Sequence, residues 1–546
     1  MKKSLIIVGL LVLLTLPTIL PYFNAKFFYT QDYIFIARLQ QMSTALLSGQ
    51  FPVRWAPDLR YGEPVFDFYA ALPYYIGTVI HLLGFNFIWV AKILFMLSSV
   101  LSAVTMYLLA NKIFGQKAGI LSAVLYTYAP YRAVDMYVRG ALSETWAFVF
   151  FPLIFYTSVL LVEKLNLKNL TFLALSLAGL FLTHNVTTVM FFPFLALWWI
   201  YLILREKKWK AIPYLFFASV LGFGLAAFFL LPAVFERDFI QTKYLIVGYF
   251  NFRAHFVMFK QFFSLFWGYG SSVWGPDDGL SFQVGLVNFA ILALSAVLAV
   301  FHKKDKKFLG ILGLFGISFL LSIFLQHNKS AFIWEAIPLM AFIQFPWRFL
   351  GISIFVVALV GGLITPYLKN KLSVIYFVII IAAIASTFNY FRPKEYVDDN
   401  FFDKFLNPEI MHKGVDLTKD YLPIWVQTVD GERFDVPRAE TGKINVSNLK
   451  QTSISMDFSV IATDNSLIEA PITYFPGWEV KVDNQLLTQS EPSKMGLIRF
   501  SLPRGNYQVK IDLKDTPIRS IGNIMSAVSI LIALGLFTIR KRYLNV

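Results

Sequence analysis

Seven charged or titratable side chains carry most of the chemistry this sequence offers: Asp32, Lys92, Arg132, Arg139, Glu144, His184 and Arg348. Each lies in or beside a short polar break between apolar runs. A carboxylate desolvated at such a break can accept a proton from a hydroxyl group. A guanidinium there presents a planar fork suited to a phosphate. Each residue also has an ordinary use. Asp32 in the first turn of a helix favours the macrodipole. Lys92 can snorkel to headgroups, and Arg139 can pair with Glu144. His184, beside Asn185, can be a satisfied interfacial histidine. Arg348, after Pro346-Trp347, can be an interfacial anchor. Asp277-Asp278 reads as either a metal pair or a turn before Gly279. With no cysteine, disulfides, thiolate metal sites and cysteine nucleophiles are excluded. No HxxEH, GxSxG, Walker or dinucleotide-binding pattern is present.

The elements that must position these residues are membrane helices. Of 546 residues, 57% are hydrophobic and 15% charged, with mean hydropathy +0.61. A soluble chain carries about a quarter charged residues. Apolar runs long enough to cross a bilayer recur from end to end, so the chain is a mainly α, polytopic membrane protein. The net charge of +15 follows topology. Seven short segments (1–3, 111–117, 163–168, 205–210, 302–307, 368–371 and 540–546) hold 19 of the 48 Lys and Arg and only three acids. That is the positive-inside signal of cytoplasmic loops rather than a nucleic-acid footprint.

Twelve spans are expected, near 1–20, 87–110, 118–131, 143–162, 169–183, 187–204, 212–232, 284–301, 308–326, 346–367, 372–390 and 518–538, with both termini cytoplasmic. Residues 71–84, only 14 long and containing Pro73, are too short to span and read as re-entrant or interfacial. Residues 21–75 and 236–282 form outer loops. In the first, Thr30 is placed to cap a helix from Gln31 to Gly49 that lies on the membrane surface, with Asp32 in its first turn. From Arg392 the composition turns polar, with alternating runs such as ISMDFSV and YQVKIDL and turn signals such as Asp483-Asn484. The expected organisation is a transmembrane domain at 1–391, an extracytoplasmic β-sandwich at 392–517, and a final helix with a basic tail at 518–546.

The stretches QDYIFIARLQQMSTALLSGQFPVRW, GEPVFDFYAALPYY, APYRAVDMYVRGALSE, LTHN and QFPWRFL resemble the bacterial membrane family called 6-pyruvoyl-tetrahydropterin synthase-related. The C-terminal YFPGWEVKVDNQ and GLIRFSLPRGNYQVKIDLKDTPIR resemble YfhO-like proteins. Both groups look like GT-C glycosyltransferases. The resemblance implies an enzyme of the plasma membrane that moves a sugar from a polyprenyl-phosphate-linked donor to a glycan, lipid or wall-polymer acceptor on the outer face. It also implies an essential acid just after the first span, which falls on Asp32. Arg139 and Arg348, with Lys92 or Arg132, would then hold the phosphate, and Glu144 and His184 would border the substrate. A divalent metal cofactor is left open, because Asp32 has no second acid beside it. Glu63, Asp67 or Glu144 supply one only through folding. Two other readings use the same residues: a transporter or flippase for a lipid-linked glycan, and a non-catalytic envelope-assembly protein.

Overall fold

The computed structural model describes residues 2–368, 373–407, 411, 421–429 and 433–538. Lys369, Lys371 and the basic tail at 540–546 lie outside the described residues. Among those described, eight helices are long and apolar enough to cross a membrane: Leu5–Phe23, Phe87–Phe114, Leu142–Glu163, Asn185–Glu206, Lys306–Gln326, Pro346–Tyr367, Ser373–Tyr390 and Pro517–Phe537. The other four expected spans are helical but fall short of that test one by one. The expected 118–131 span ends as a helix at Thr127. Pro130 forces the residue before it out of the helical region, and Ala129 is extended at φ −60, ψ 135. Leu167–Phe181 and Leu286–Phe301 are apolar but short. The expected 212–232 span is two helices, Ala211–Leu225 and Ala227–Phe235, which meet at a break of 77°.

Side chains from elsewhere repair that break. Ser526 of the last helix accepts from Phe228 N at 2.9 Å and donates to the Gly224 carbonyl at 2.9 Å. Pro232 cannot donate to the carbonyl four residues back, and Arg54 donates to that Phe228 oxygen at 3.1 Å instead. Backbone groups freed at membrane depth require such partners.

The most enclosed span is Pro346–Tyr367, with 94% of its apolar window buried. It packs most closely on Gln116–Thr127, Leu286–Phe301 and Lys306–Gln326, and its first turn carries Arg348. The 71–84 stretch forms the helix Leu72–Leu82, whose 11 residues extend only about 16 Å. It packs on the first-loop helix, where a Cβ on Gly77 would meet Leu39 Cδ2 at 2.4 Å.

That first-loop helix differs from expectation. It runs Ile34–Leu47, with Tyr33 at its N-cap and no side-chain cap. Thr30 therefore does not cap it, and Asp32 precedes it. The reason is a competing backbone pairing: Gln31 N and Asp32 N donate to Val138 O and Arg139 O at 2.9 and 2.8 Å. Of the polar residues of this segment, Arg38, Gln41 and Ser43 are buried, while Thr44 and Ser48 at its C-terminal end are exposed. Gln41 pairs with Asp58 at 2.9 Å, and Gln40 donates to Leu406 O at 2.7 Å. A two-residue ribbon, Phe27–Phe28 with Tyr396–Val397, holds the 396–406 segment over this loop.

The C-terminal region is antiparallel β. A five-stranded sheet runs in the order Ile444–Gln451, Ser455–Ala462, Gly505–Leu513, Trp478–Val482, Gln485–Leu487. A three-stranded sheet runs Arg438–Thr441, Ser466–Thr473, Leu497–Leu502. Met456, Phe458 and Val460 alternate inward from one sheet and share a core with Ile468, Ile498 and Phe500 of the other. Asp483 and Asn484 both take positive φ, 49° and 67°, as a tight two-residue hairpin requires. The core also takes in Trp55 and Phe68 of the first loop, and Trp55 meets Trp478 edge-on at 5.5 Å.

Candidate functional site: a cavity of arginines around one carboxylate

The site is assembled from chain breaks. After the helical turn Pro130–Ala133, the residues Val134–Arg139 widen into a π-type turn, and Gly140 reverses the chain at φ 71 before the helix Leu142–Glu163. Only glycine fits at 140, because a Cβ there would lie 2.3 Å from the Asp32 carbonyl. Together with the two backbone hydrogen bonds, this close approach fixes Asp32 against Arg139. The Asp32 side chain accepts from Ile34 N at 3.2 Å.

Arg139 and Arg348 converge on Glu144. Arg139 donates to Glu144 Oε2 at 2.8 Å, to Tyr131 OH at 3.3 Å and to Asp135. Arg348 Nε lies 3.7 Å from the same Glu144 oxygen, and its Nη1 donates to Ile343 O at 2.8 Å. Tyr131 donates to the other Glu144 oxygen at 2.6 Å. Each guanidinium lies over an aromatic ring, Arg139 over Trp347 at 4.6 Å and Arg348 over Phe345 at 4.9 Å.

These groups border a cavity of about 1010 Å³. Asp32, Arg139, His184 and Arg348 all line it, and Glu144 stands behind the two arginines. Ala233, Val234, Leu339, Phe342 and Ile343 give another part of the wall an apolar surface. Val234 and Leu339 are 55% and 50% exposed. Burial pushes the Asp32 carboxyl above its ordinary value, against the opposing fields of Arg38, Arg139 and Arg348. Burial also pushes His184 down to about 3, so its imidazole is neutral at physiological pH. Its Nδ1 is bonded to Thr187 Oγ1.

Three of the expected residues are not among those lining the cavity: Glu144, which stands behind the arginines, Lys92 and Arg132. Lys92 Nζ donates to Asn24 O and Ala25 O, both at 2.8 Å, and so secures the chain leaving the first span. Arg132 is fully buried, bonded to Ser102 Oγ at 2.9 Å and set over Phe148 at 4.7 Å. Sequence reasoning missed Arg38, which lines the same cavity and lies over Tyr69 at 3.9 Å. Its only signal was a lone basic residue off the helical spacing of Ile34, Phe35, Leu39, Met42 and Leu46 in the first loop.

A divalent metal does not fit the described donors. Asp32 is the one carboxylate among the lining residues, and no group of three or more His, Cys, Asp and Glu among the described residues is placed to hold an ion. Glu63 and Asp67 are held elsewhere, near Arg60 and by Arg54. The Asp277-Asp278 pair belongs to a turn, where Asp278 accepts from Val273 N and Gln261 Nε2, each at 2.8 Å.

Residues 66–393 match the model of the 6-pyruvoyl-tetrahydropterin synthase related domain, a family of membrane proteins, and the chain belongs to that family. A Lactococcus lactis subsp. cremoris relative, named only as an uncharacterized protein, is 25% identical over 235 residues. That match covers 41% of this chain and 38% of the relative, so the chain spans well under half of that relative's length. Among solved structures, the apo oligosaccharyltransferase of Archaeoglobus fulgidus is similar with a TM-score of 0.47 at 14% identity, over 73% of this chain and 57% of that one. The arabinofuranosyltransferase AftD from Mycobacteria is similar with a TM-score of 0.44 at 14% identity, over 74% of this chain and 28% of that one.

Proposed function

We propose that this chain is a glycosyltransferase of the plasma membrane. It moves a sugar from a polyprenyl-phosphate-linked donor to an envelope glycan, lipid or wall-polymer acceptor on the outer face. The observation that carries this reading is a single cavity lined by one half-buried carboxylate, Asp32, together with Arg139 and Arg348, while another wall is apolar. The acceptor hydroxyl gives its proton to an Asp32 oxygen as its own oxygen bonds to the anomeric carbon of the sugar. The bond from that carbon to the phosphate oxygen breaks, and its electron pair leaves on the phosphate. Arg139 and Arg348 stabilise the charge that develops there. Polyprenyl phosphate departs, and Asp32 returns its proton to water. The apolar wall at Val234, Leu339 and Phe342 takes the first isoprene units.

In this reading residues 1–391 form the catalytic transmembrane domain. Residues 392–517 form an outer β-sandwich beside the acceptor, and residues 518–546 return the chain to the cytoplasm. Because Trp55 and Phe68 complete the β core, acceptor binding belongs to the full chain rather than to an isolated 392–517 fragment.

The test is Asp32→Asn in cells lacking the native copy, with envelope glycans read by mass spectrometry. A positioned general base contributes about 10²–10⁴-fold. The variant should lose the modification to that extent while reaching the membrane in normal amount. Full modification by Asp32→Asn ends the proposal.

A further inference from the structure

The long loop between Phe235 and Leu286 carries an exposed apolar stretch, Met258–Phe266 (MFKQFFSLF). Phe259, Phe263, Leu265 and Phe266 are 61, 46, 60 and 50% exposed around one buried anchor, Phe262. Lys260 is the only charged residue of the stretch. An apolar patch of this kind marks a surface that meets an apolar partner.

Its neighbours identify that partner. Phe263 stacks on Phe289, with ring centroids 4.2 Å apart. Phe289 lies in the first turn of the helix Leu286–Phe301. Ala293, Val297 and Val300 follow it along the same face, and all three are exposed. In a membrane bundle an exposed apolar face is the lipid-facing one. The helix has 16 residues and extends only about 24 Å, short of the roughly 30 Å hydrocarbon layer. Phe263 continues its apolar stripe beyond the helix end. Just past the stretch, Trp267 stacks at 4.3 Å on Tyr390, the last residue of the span Ser373–Tyr390. The stretch is thus fixed between the ends of two membrane helices.

The backbone suits that level too. Met258 N donates to Gln261 Oε1 at 2.7 Å, and Phe266 N donates to Ser264 Oγ at 3.1 Å. Gln283 Nε2 donates to Phe266 O at 3.2 Å, and Val284 N donates to Phe262 O at 3.1 Å. A loop in water can leave such groups to the solvent, whereas a loop against lipid has to bond them within the protein.

We propose that Met258–Phe266 is an in-plane membrane element, with Phe259, Phe263, Leu265 and Phe266 set among the lipid acyl chains and Lys260 reaching the headgroup phosphates. The chain that follows it enters the cavity wall: Tyr269 and Leu280 bridge, Ser271, Ser272 and Leu280 line the cavity, and Gln31, next to Asp32, donates to Gly270 O at 2.6 Å. The element therefore ties one wall of the cavity to the bilayer surface. This placement needs only that the chain lies in a bilayer, and it stands whether or not the chain transfers sugar.

The native chain has no cysteine, so single spin labels report depth directly. The full-length chain is reconstituted in vesicles of phosphatidylethanolamine and phosphatidylglycerol, with a nitroxide on Phe259→Cys, Leu265→Cys or Phe266→Cys. Collisions with oxygen, which partitions into lipid, are compared with collisions with a polar nickel chelate. Val297→Cys serves as the reference within the helix and Thr463→Cys as the reference in water. The expected result is an oxygen-dominated signal at all three positions, at a depth of about 5–10 Å, shallower than Val297→Cys. A chelate-dominated signal like that of Thr463→Cys overturns the proposal. Shielding from both reagents also overturns it, because the patch is then covered by protein, as by a second copy of the chain. The labelled side chains are exposed, and three independent positions keep the test decisive should one variant misfold.

Discussion

Glu144 holds two arginines with one carboxylate, and this sharing sets how the cavity responds to single substitutions. Glu144→Gln leaves both guanidinium groups under-compensated, and the expected outcome is a loss of fold stability as well as activity. Gly140 is the cleaner probe. Gly140→Ala puts a methyl 2.3 Å from the Asp32 carbonyl at a backbone φ of 71°. The expected cost is about 1 kcal/mol or more, because alanine disfavours that conformation. The displaced Asp32 should lower the transfer rate more than it weakens donor binding, a split that steady-state kinetics resolves. The pH profile belongs to the same residue. The Asp32 carboxyl is raised by burial, and the base must be ionised to work. Activity should therefore fall with acidification through a midpoint above that of an ordinary aspartate. Arg38 holds the carboxyl down, so Arg38→Gln should move that midpoint upward. A midpoint unmoved by the substitution contradicts this electrostatic account.

Among the elements, the C-terminal helix Pro517–Thr538 is bound most firmly through charge. Arg519 is 1% exposed and reaches Glu236 at 2.9 Å and Asp67 at 3.2 Å. Asp67 also takes Arg54 at 2.7 Å, and Arg54 reaches Asn523 at 2.7 Å. Removing one member of such a buried network costs about 3–5 kcal/mol. Arg519→Met should lower the apparent melting temperature in detergent and open the 433–517 region to protease, and a variant as resistant as the native chain would refute the role. None of this network was legible in the sequence, where Asp67, Glu236 and Arg519 lie far apart, 169 and 283 residues from one to the next. The helices were legible because hydrophobic runs report burial in lipid directly. Their breaks at Ala226 and Ala129 were not, because the partners that stabilise a break are tertiary. The first-loop helix was legible in type, but its start was misplaced. Nothing in the sequence indicates that Val138 and Arg139 offer their carbonyls to Gln31 and Asp32.

For the whole molecule, alternating runs such as ISMDFSV and YQVKIDL marked the C-terminal β-sheet region and its Asp483-Asn484 turn, although the two sheets begin only at Arg438 and residues 399–406 form helical turns. Its dependence on the first loop could not be read from composition. Of the expected site, Asp32, Arg139, His184 and Arg348 meet at one cavity because each lies at a chain break on the same side of the bundle. Lys92 and Arg132, chosen by the same logic, instead serve backbone and hydroxyl oxygens. The lack of native cysteine makes orientation directly testable. Thr463→Cys should react with an impermeant maleimide on intact cells, and Lys117→Cys only after permeabilisation. The opposite pattern would invert the proposed topology.

The seam at Ala226 has a mechanical consequence. Ser526 bridges the two halves of the bent helix, and a methyl on Gly522 would come within 2.7 Å of the Ala227 carbonyl. There is no slack between the last helix and the segment that ends in Ala233 and Val234. The helix that follows the sheets is thereby tied directly to the helix that brings Ala233 and Val234 into the cavity wall.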